Sequence, residues 1–364
     1  MRFTIIIVLA FFANIGFSQT NTAYRLENVA EGLSYPWSMA FLPNGDYLVS
    51  MRSGELRRIS AEGAISEPLA NTPSAYVAAQ GGYFDVALDP EFASNQTIYL
   101  AFASGTYDNN ATRVIRATLA QNSIEDVSTI FTLEPSKDTS VHYGGRLQFI
   151  NDGTLLISTG DGFDYREAAQ DKFSQLGKII RINSDGSIPS DNPYADGKNG
   201  DPKVYASGHR NPQGLAYDAD TNTIYLHDHG PQGGDEVNII QASHNYGWPA
   251  TSYGVNYSGA LITPFKVAPG ITDAVHYWVP SIAPSGLAYY SGQAFPDWQG
   301  DLFVGALVNR DVRRLVIDNA KVKEEIMFSE INERIRDVRI SPQGYLYILT
   351  DSHQGKIIRV VPSN

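Results

Sequence analysis

The chain has 364 residues and a formal net charge of −12. That acidity argues against a nucleic-acid partner, which selects a basic surface. The absence of cysteine excludes disulfides, thiolate catalysis and cysteine-ligated zinc.

The N-terminus reads as a processing segment. Arg2 gives a positive start, Ile5 to Ala13 is almost wholly apolar, and Gly16-Phe17-Ser18 offers the small residues a signal peptidase reads. Cleavage is expected before Gln19, leaving an exported, periplasmic or secreted protein. The apolar run is shorter than the ~20 residues a membrane span needs, and no later stretch is long and apolar enough to span.

Beyond this leader (1–18), short strand-like runs dominate. A turn followed by an apolar or alternating run recurs at Leu42 to Ser50, Phe149 to Ser158 and Ile340 to Thr350. Looser copies lie at Leu88 to Leu100 and Tyr217 to Leu226. Asn, Asp, Gly and Pro supply the turn angles, and strand-forming residues follow. A second element repeats at Gly54 to Ile59, Gly177 to Ile182 and Gly355 to Val360, with a weaker copy at Asp311 to Leu315. It reads as the next strand of the same unit. No long amphipathic helix is evident. Repeated multi-strand units predict an all-β, six-bladed β-propeller of four-stranded antiparallel blades, with roughly 55 to 60 residues per blade. No linker divides residues 19–364, so one domain is expected. Loops 185–202 and 243–263 exceed what a blade needs, and long loops on a rigid scaffold are the usual place for function.

Three blocks concentrate polar residues, Gly and Pro beyond the needs of a core. They are His142 to Leu147, Gly208 to Ala216, and His229 to Glu236. Such composition suits close backbone approach to a ligand. His142 is the candidate general base, because imidazole exchanges protons near neutral pH. A structural histidine bonded to a carbonyl is the alternative. Arg334 and Arg336 share one side of an extended segment, which suits a polycarboxylate or phosphate. An ion pair with Asp337 on a solvated strand reads equally well. His227-Asp228-His229 has alternating ligand types but lacks further zinc ligands. Glu236, with carbonyls of Gly230 and Pro231, better suits calcium. Ser285 lacks the flanks of a nucleophile elbow and reads as structural.

Taken together, these blocks resemble the soluble quinoprotein glucose/sorbosone dehydrogenase family, most closely its periplasmic aldose sugar dehydrogenase branch. The resemblance runs from Gly32-Leu33-Ser34-Tyr35-Pro36-Trp37 and Gln80-Gly81-Gly82 through the three blocks. It continues through Asn245-Tyr246-Gly247-Trp248-Pro249 and Pro280 to Gly286, and ends at Arg334 to Val338 and Leu349-Thr350-Asp351. It implies pyrroloquinoline quinone (PQQ) and calcium as cofactors, an aldose as substrate and an external electron acceptor. The family's base falls on His142. Its quinone-contacting positions fall on Gln80, Arg210 and Asn211, and its Arg-x-Arg clamp on Arg334, Ile335 and Arg336. Tyr257 and Ala306-Leu307-Val308 occupy cofactor-lining positions. Active-site calcium would rest on carbonyls of Gly230 and Pro231, and a structural calcium on Glu236 and the carbonyl of Tyr246.

The chain departs from the glucose-oxidising branch in three places. Val141 replaces an acid before the base, Val308 replaces a lysine, and Trp278 stands one place out of register with the sugar-site tryptophan. These differences bear on sugar specificity. Two other readings fit a propeller: a calcium-dependent lactone hydrolase, which needs no Arg-x-Arg clamp, and a non-enzymatic exported protein that binds carbohydrate or protein. The residues define no oligomeric state.

Overall fold

The computed structural model describes residues 23–318 and 321–363. The expected leader over 1–18 lies outside the described residues. Six four-stranded sheets, each antiparallel, follow one another along the chain. Their inner strands are Pro36–Phe41, Tyr83–Leu88, Gly144–Phe149, Pro212–Asp218, Pro284–Tyr289 and Ile335–Ile340. These open blades one to six. The inner strands of neighbouring blades touch all the way round, blade six closing onto blade one. The expected six-bladed propeller is the fold.

The ring is closed by exchange. Blade six takes its outer strand from the start of the described chain, where Tyr24–Leu33 pairs with Gly355–Pro362. The two ends of the chain are thereby tied into one sheet, which protects an edge the ring would otherwise expose.

The repeats legible in the sequence are the second and third strands. Gly45, Gly153 and Gly344 each donate to the carbonyl three residues back (Leu42, Ile150, Ser341) in the turns leaving the inner strands of blades one, three and six. The strands that follow are Tyr47–Met51, Leu155–Thr159 and Leu346–Thr350, and every residue in them is buried. Each sheet lies between two others, so a middle strand is covered on both faces and reads as a continuous apolar run. Outer strands such as Ile65–Pro68 and Lys321–Met327 are largely exposed.

The core is correspondingly divided. Six apolar clusters occupy the six blade–blade interfaces. Between blades five and six, Trp298 stacks on Phe295 at 3.9 Å and meets Tyr290, Phe303 and Phe328 edge-on or tilted. Between two and three, Phe84 lies 5.3 Å from Tyr143. Each fully buried side chain of this size contributes about 1.5 to 3 kcal/mol.

All six inner strands share one irregularity. The register slips near the first residues of each, as at Pro36/Ser38, Gly144/Leu147 and Ile335/Asp337. A bulge re-aims side chains and ends regular pairing. Here it turns the residues before and at each strand start towards one mouth of the central channel.

Just past the bulges, four charges meet in the channel, Asp85, Arg146 and Asp337 buried and Arg339 partly so. Arg146 of blade three pairs with Asp337 of blade six at 2.9 Å and approaches Asp85 of blade two at 3.8 Å. Arg339 contacts Asp85 at 2.6 Å and Asp337 at 2.8 Å. Ser38 of blade one donates to Asp85. The Arg146 guanidinium also lies 4.2 Å from the centre of the Trp37 ring. Two acids and two arginines thus knot blades two, three and six together without net charge, and Ser38 ties in blade one.

Candidate active site

Two sets of loops meet at the mouth. One set leads into or opens inner strands and carries Gln80, His142, Arg210, Asn211, Arg334 and Arg336. The other follows second strands and carries Asp161, the turn from His229 to Pro231, Leu307 and Val308, and Asp351.

His142 is buried, and its backbone is left-handed at φ 53°. Strain of this sort collects where surroundings over-determine a functional residue. Two contacts hold it. The Gln80 side-chain oxygen accepts from the His142 amide at 2.8 Å. Gly160 packs so closely on the His142 carbonyl that a Cβ there would lie 2.1 Å from the oxygen. The imidazole Nδ1 is 2.7 Å from Asp161 Oδ1, and the other carboxylate oxygen accepts from Trp248 Nε1 at 2.7 Å. Asp161 is fully buried and also accepts from the Phe163 amide at 2.8 Å. With the carboxylate ionised, Nδ1 carries the hydrogen and Nε2 is left as the free base. Burial lowers the His142 pKa below its ordinary value; the Asp161 bond opposes that shift and Arg210 adds to it.

Beside His142 opens a cavity of about 270 Å³. The His142 ring meets Phe163 edge-on at 5.2 Å, and Phe163 lies nearly parallel to Tyr257 at 6.5 Å. Both line the cavity, with Arg210, Pro231 and Trp248. The Arg210 guanidinium is 5.4 Å from the Trp248 ring centre and 5.9 Å from that of Tyr257. Its Nη1 donates to the carbonyls of His229 at 3.2 Å and Gly230 at 3.0 Å. Asp228 accepts from the amides of Arg210 at 2.7 Å and Asn211 at 2.6 Å, which fixes this corner. Asn211 in turn accepts from the Gly144 amide at 3.1 Å. Trp248 and Tyr257 arrive on the loop 241–275, which leaves the far end of blade four and climbs back to the mouth. The other long loop does not. Its Asp191 and Asn192 bind Arg181, which also holds Asp152 in a turn at the opposite end. Of the two long loops expected to serve function, one reaches the mouth.

Arg334 and Arg336 project together, as their spacing predicts, but their carboxylate partner is Asp351 rather than Asp337. Arg334 Nε and Arg336 Nη2 each lie 3.1 Å from the same Asp351 oxygen. Burial raises the Asp351 pKa, and the two arginines more than offset it, Arg336 first. Arg336 also donates to Gln213 Oε1 at 3.1 Å. Arg334 is 44% exposed and reaches the Leu307 carbonyl at 3.3 Å. Ile335 between them is fully buried in the core of blades five and six, so its side chain faces away from the mouth. Ala306 and Leu307 are buried, whereas Val308 is exposed on the rim.

The sequence model of the glucose/sorbosone dehydrogenase family matches residues 33–359. The chain belongs to that family. It is 39% identical to the aldose sugar dehydrogenase YliI of Escherichia coli, over 93% of each chain. It is 26% identical to quinoprotein glucose dehydrogenase B of Acinetobacter calcoaceticus, over 89% of this chain and 84% of that one. Among solved structures, the apo form of the soluble E. coli aldose sugar dehydrogenase superposes with a TM-score of 0.90 at 38% identity, over 93% of this chain and all of that one. The PQQ-bound aldose sugar dehydrogenase of Streptomyces coelicolor superposes with a TM-score of 0.77 at 27% identity, over 93% of this chain and 99% of that one.

In this member of the family, the donor set at the mouth suits a polyanion. Arg210, Arg334 and Arg336 share it with one acid partner, Asp351, and the buried Nε2 of His229 has no protein partner. The turn between the second and third strands of blade four, with Glu236 just beyond it, suits a cation. Burial and then Asp228 push the Glu236 carboxyl up to about 8, and it accepts a long bond from Asn238 Nδ2 at 3.4 Å. Asp235 and Asp273 also face it. The Gly230 carbonyl is shared with Arg210, so a cation there would compete with a guanidinium. The Tyr246 hydroxyl is committed to Ile239 and Gln241, and its ring stacks on His209 at 5.0 Å. Among the described residues no three His, Cys, Asp or Glu side chains converge on one point, so any metal here leans on backbone oxygens.

Asp161 is the functional residue that motif reading missed. The sequence signal was available in Gly160-Asp161-Gly162, an acid between glycines directly after a buried strand. Nothing local pairs it with His142.

Proposed function

We propose that the chain is a PQQ- and calcium-dependent sugar dehydrogenase that oxidises aldoses at the anomeric carbon to lactones. The observation that carries this reading is the Trp248–Asp161–His142 relay beside a cavity lined by Arg210, with the Arg334/Arg336 pair at the same mouth. Bound PQQ would supply the two-electron acceptor for the C1 hydride, calcium would polarise it, and an external acceptor would restore it.

The chain's own residues do the rest. His142 Nε2 takes the proton of the anomeric hydroxyl. Asp161, 2.7 Å from Nδ1, stabilises the imidazolium that results, and the Trp248 bond keeps that carboxylate in place. A positioned base of this kind contributes about 10²- to 10⁴-fold. Arg334 and Arg336 would bind cofactor carboxylates, Gln80 and Asn211 hold the loops around the ring, and Ala306-Leu307-Val308 and Tyr257 bound the pocket. Calcium would rest on Gly230 and Pro231, and a second ion on Glu236 and the Tyr246 carbonyl.

The test is reconstitution. Purified protein is loaded with PQQ and calcium, and sugars are screened with an artificial electron acceptor. PQQ-dependent aldose oxidation is expected; no PQQ binding at micromolar concentration would overturn the reading. The single propeller over 19–364 and export behind a 1–18 leader are part of the proposal. Among the described residues no helix is long and apolar enough to cross a membrane. Mass spectrometry of the exported protein should find Gln19 first, and an intact Met1 to Ser18 would refute the leader.

A further inference from the structure

One cation on the cavity wall has no role in the chemistry above. Arg166 opens the short 3-10 helix Arg166–Gln170 and lines the cavity three residues after Phe163. Its Nη1 donates to Asn256 Oδ1 at 3.2 Å, joining the loops of blades three and four. It approaches Glu167 at 3.5 Å, an acid itself 83% exposed. Other arginines near this end are better served: Arg313, Arg336 and Arg339 each reach a carboxylate at 3.1 Å or less. Arg166 is 41% exposed, so its fork has donors to spare on the cavity side.

The backbone beneath Arg166 is held firmly. Lys178, fully buried, donates from Nζ to Ala168 O at 2.7 Å and Ala169 O at 3.0 Å. Gln170 Nε2 donates to the Trp248 carbonyl at 2.7 Å. A buried ammonium spent on two helix carbonyls fixes the element that aims Arg166. On the same wall stands one acid, Asp164, against the two arginines Arg166 and Arg210.

We propose that Arg166 reads the end of the sugar remote from C1, and that the preferred substrates are aldoses carrying a carboxylate there, the uronic acids. This rests on the dehydrogenase reading, which places C1 at His142. Phe163 meets that base edge-on and lines the same cavity as Arg166, so a sugar with C1 at His142 can extend along this wall. A guanidinium fork matches a carboxylate in a bidentate pair, which an ammonium cannot reproduce. A charge-assisted pair of this type is worth roughly 10- to 100-fold in affinity.

The experiment uses the full chain loaded with PQQ and calcium. Initial rates on D-glucuronate and D-glucose are compared with an artificial acceptor. Wild type is expected to favour glucuronate at least tenfold in kcat/KM, chiefly through KM. Arg166→Gln should bring that ratio close to one, and Arg166→Lys should leave it between. Calorimetry on loaded His142→Ala protein should show the same ratio in Kd without turnover. Equal use of the two sugars by wild type, or a ratio that Arg166→Gln leaves in place, overturns the proposal. Loss of PQQ affinity in Arg166→Gln overturns it too, by assigning the arginine to the cofactor. If loaded wild type oxidises neither sugar and binds neither, the dehydrogenase reading itself falls and takes this proposal with it.

Discussion

The channel holds two groups of arginines a few residues apart, and they are built on opposite principles. In the knot, Arg146 and Arg339 face Asp85 and Asp337, so each charge is answered by another. At the mouth, Arg334 and Arg336 divide one carboxylate, Asp351, while Arg210 leans on carbonyls and aromatic rings. A balanced buried network has no use for a ligand. Taking either partner away costs heavily because the other charge stays buried. Arginines that share or lack a carboxylate partner at an opening are a different case, because an anion entering from water completes their pairing. The difference separates arginines that hold the ring together from arginines available to a cofactor.

The largest expected effect lies at the mouth. His142→Ala should lower turnover by about 10²- to 10⁴-fold, with PQQ binding largely retained. Asp161→Asn removes the group that holds the Nδ1–H tautomer, so it too should cut turnover heavily. The pH dependence sharpens this. Burial keeps the His142 pKa below its ordinary value, so wild-type turnover should be level at neutral pH and fall only in acid, as Nε2 gains its proton. Asp161 raises that pKa, so losing its charge should move the acid limb to still lower pH. Stopped-flow reduction of loaded protein across pH measures both. An acid limb moved upward in Asp161→Asn would break the assignment.

Next comes the knot. Arg146→Met leaves Asp337 and Asp85 facing Arg339 alone and removes the bond from Arg146 Nε to the Gln213 carbonyl at 2.6 Å. Loss of one partner from a buried network costs about 3 to 5 kcal/mol. Urea unfolding of PQQ-free protein should show that loss. A variant as stable as wild type would mean that the knot is not what holds the inner strands.

The two groups also differ in how far the sequence disclosed them. Strand repeats were legible because turn chemistry is local: Asn44-Gly45, Asp152-Gly153 and Gln343-Gly344 sit before buried apolar strands. Blade five was harder, because residues 290–301 form an aromatic insertion with a 3-10 helix at Pro296–Trp298 instead of a short turn. His142, Arg334 and Arg336 were legible from motif and spacing. Their partners were not. Asp351 follows the strand paired with theirs, 17 residues from Arg334; Asp161 is 19 residues from His142, and the knot spans as many as 254 residues between Asp85 and Arg339. Spacing along one strand predicts which side chains share a face. Which acid meets them across a ring of sheets depends on closure, and a linear pattern carries no record of that.

The clamp should respond more mildly than the knot in stability and more strongly in binding. Replacing Arg334 and Arg336 together by Gln should weaken PQQ at least 100-fold, about 2.7 kcal/mol, in a titration at saturating calcium. Asp351 is then left without cations, so PQQ-free protein should also lose about 1 to 3 kcal/mol. Adding Asp351→Asn should recover most of that stability and none of the affinity. Equal PQQ binding in wild type and the double variant would move the clamp elsewhere.

The smallest effect concerns calcium, and it inverts the logic of the mouth. Burial, Asp228, Asp235 and Asp273 together hold the Glu236 carboxyl up to about 8, so this corner is short of a cation. Calcium should therefore stabilise wild type, by about 2.7 kcal/mol when its concentration is 100 times its Kd. Glu236→Gln should lose most of that gain. Without calcium the variant should be at least as stable as wild type, since burial and Asp228 already favour the uncharged carboxyl, which the amide resembles. Thermal melts in chelator and in millimolar calcium give both numbers. A variant destabilised in chelator would show that Glu236 serves the metal-free fold, and a full calcium response would place the ion on backbone oxygens alone. Either outcome would leave the arginine-rich mouth as the one part of the channel built around a missing partner.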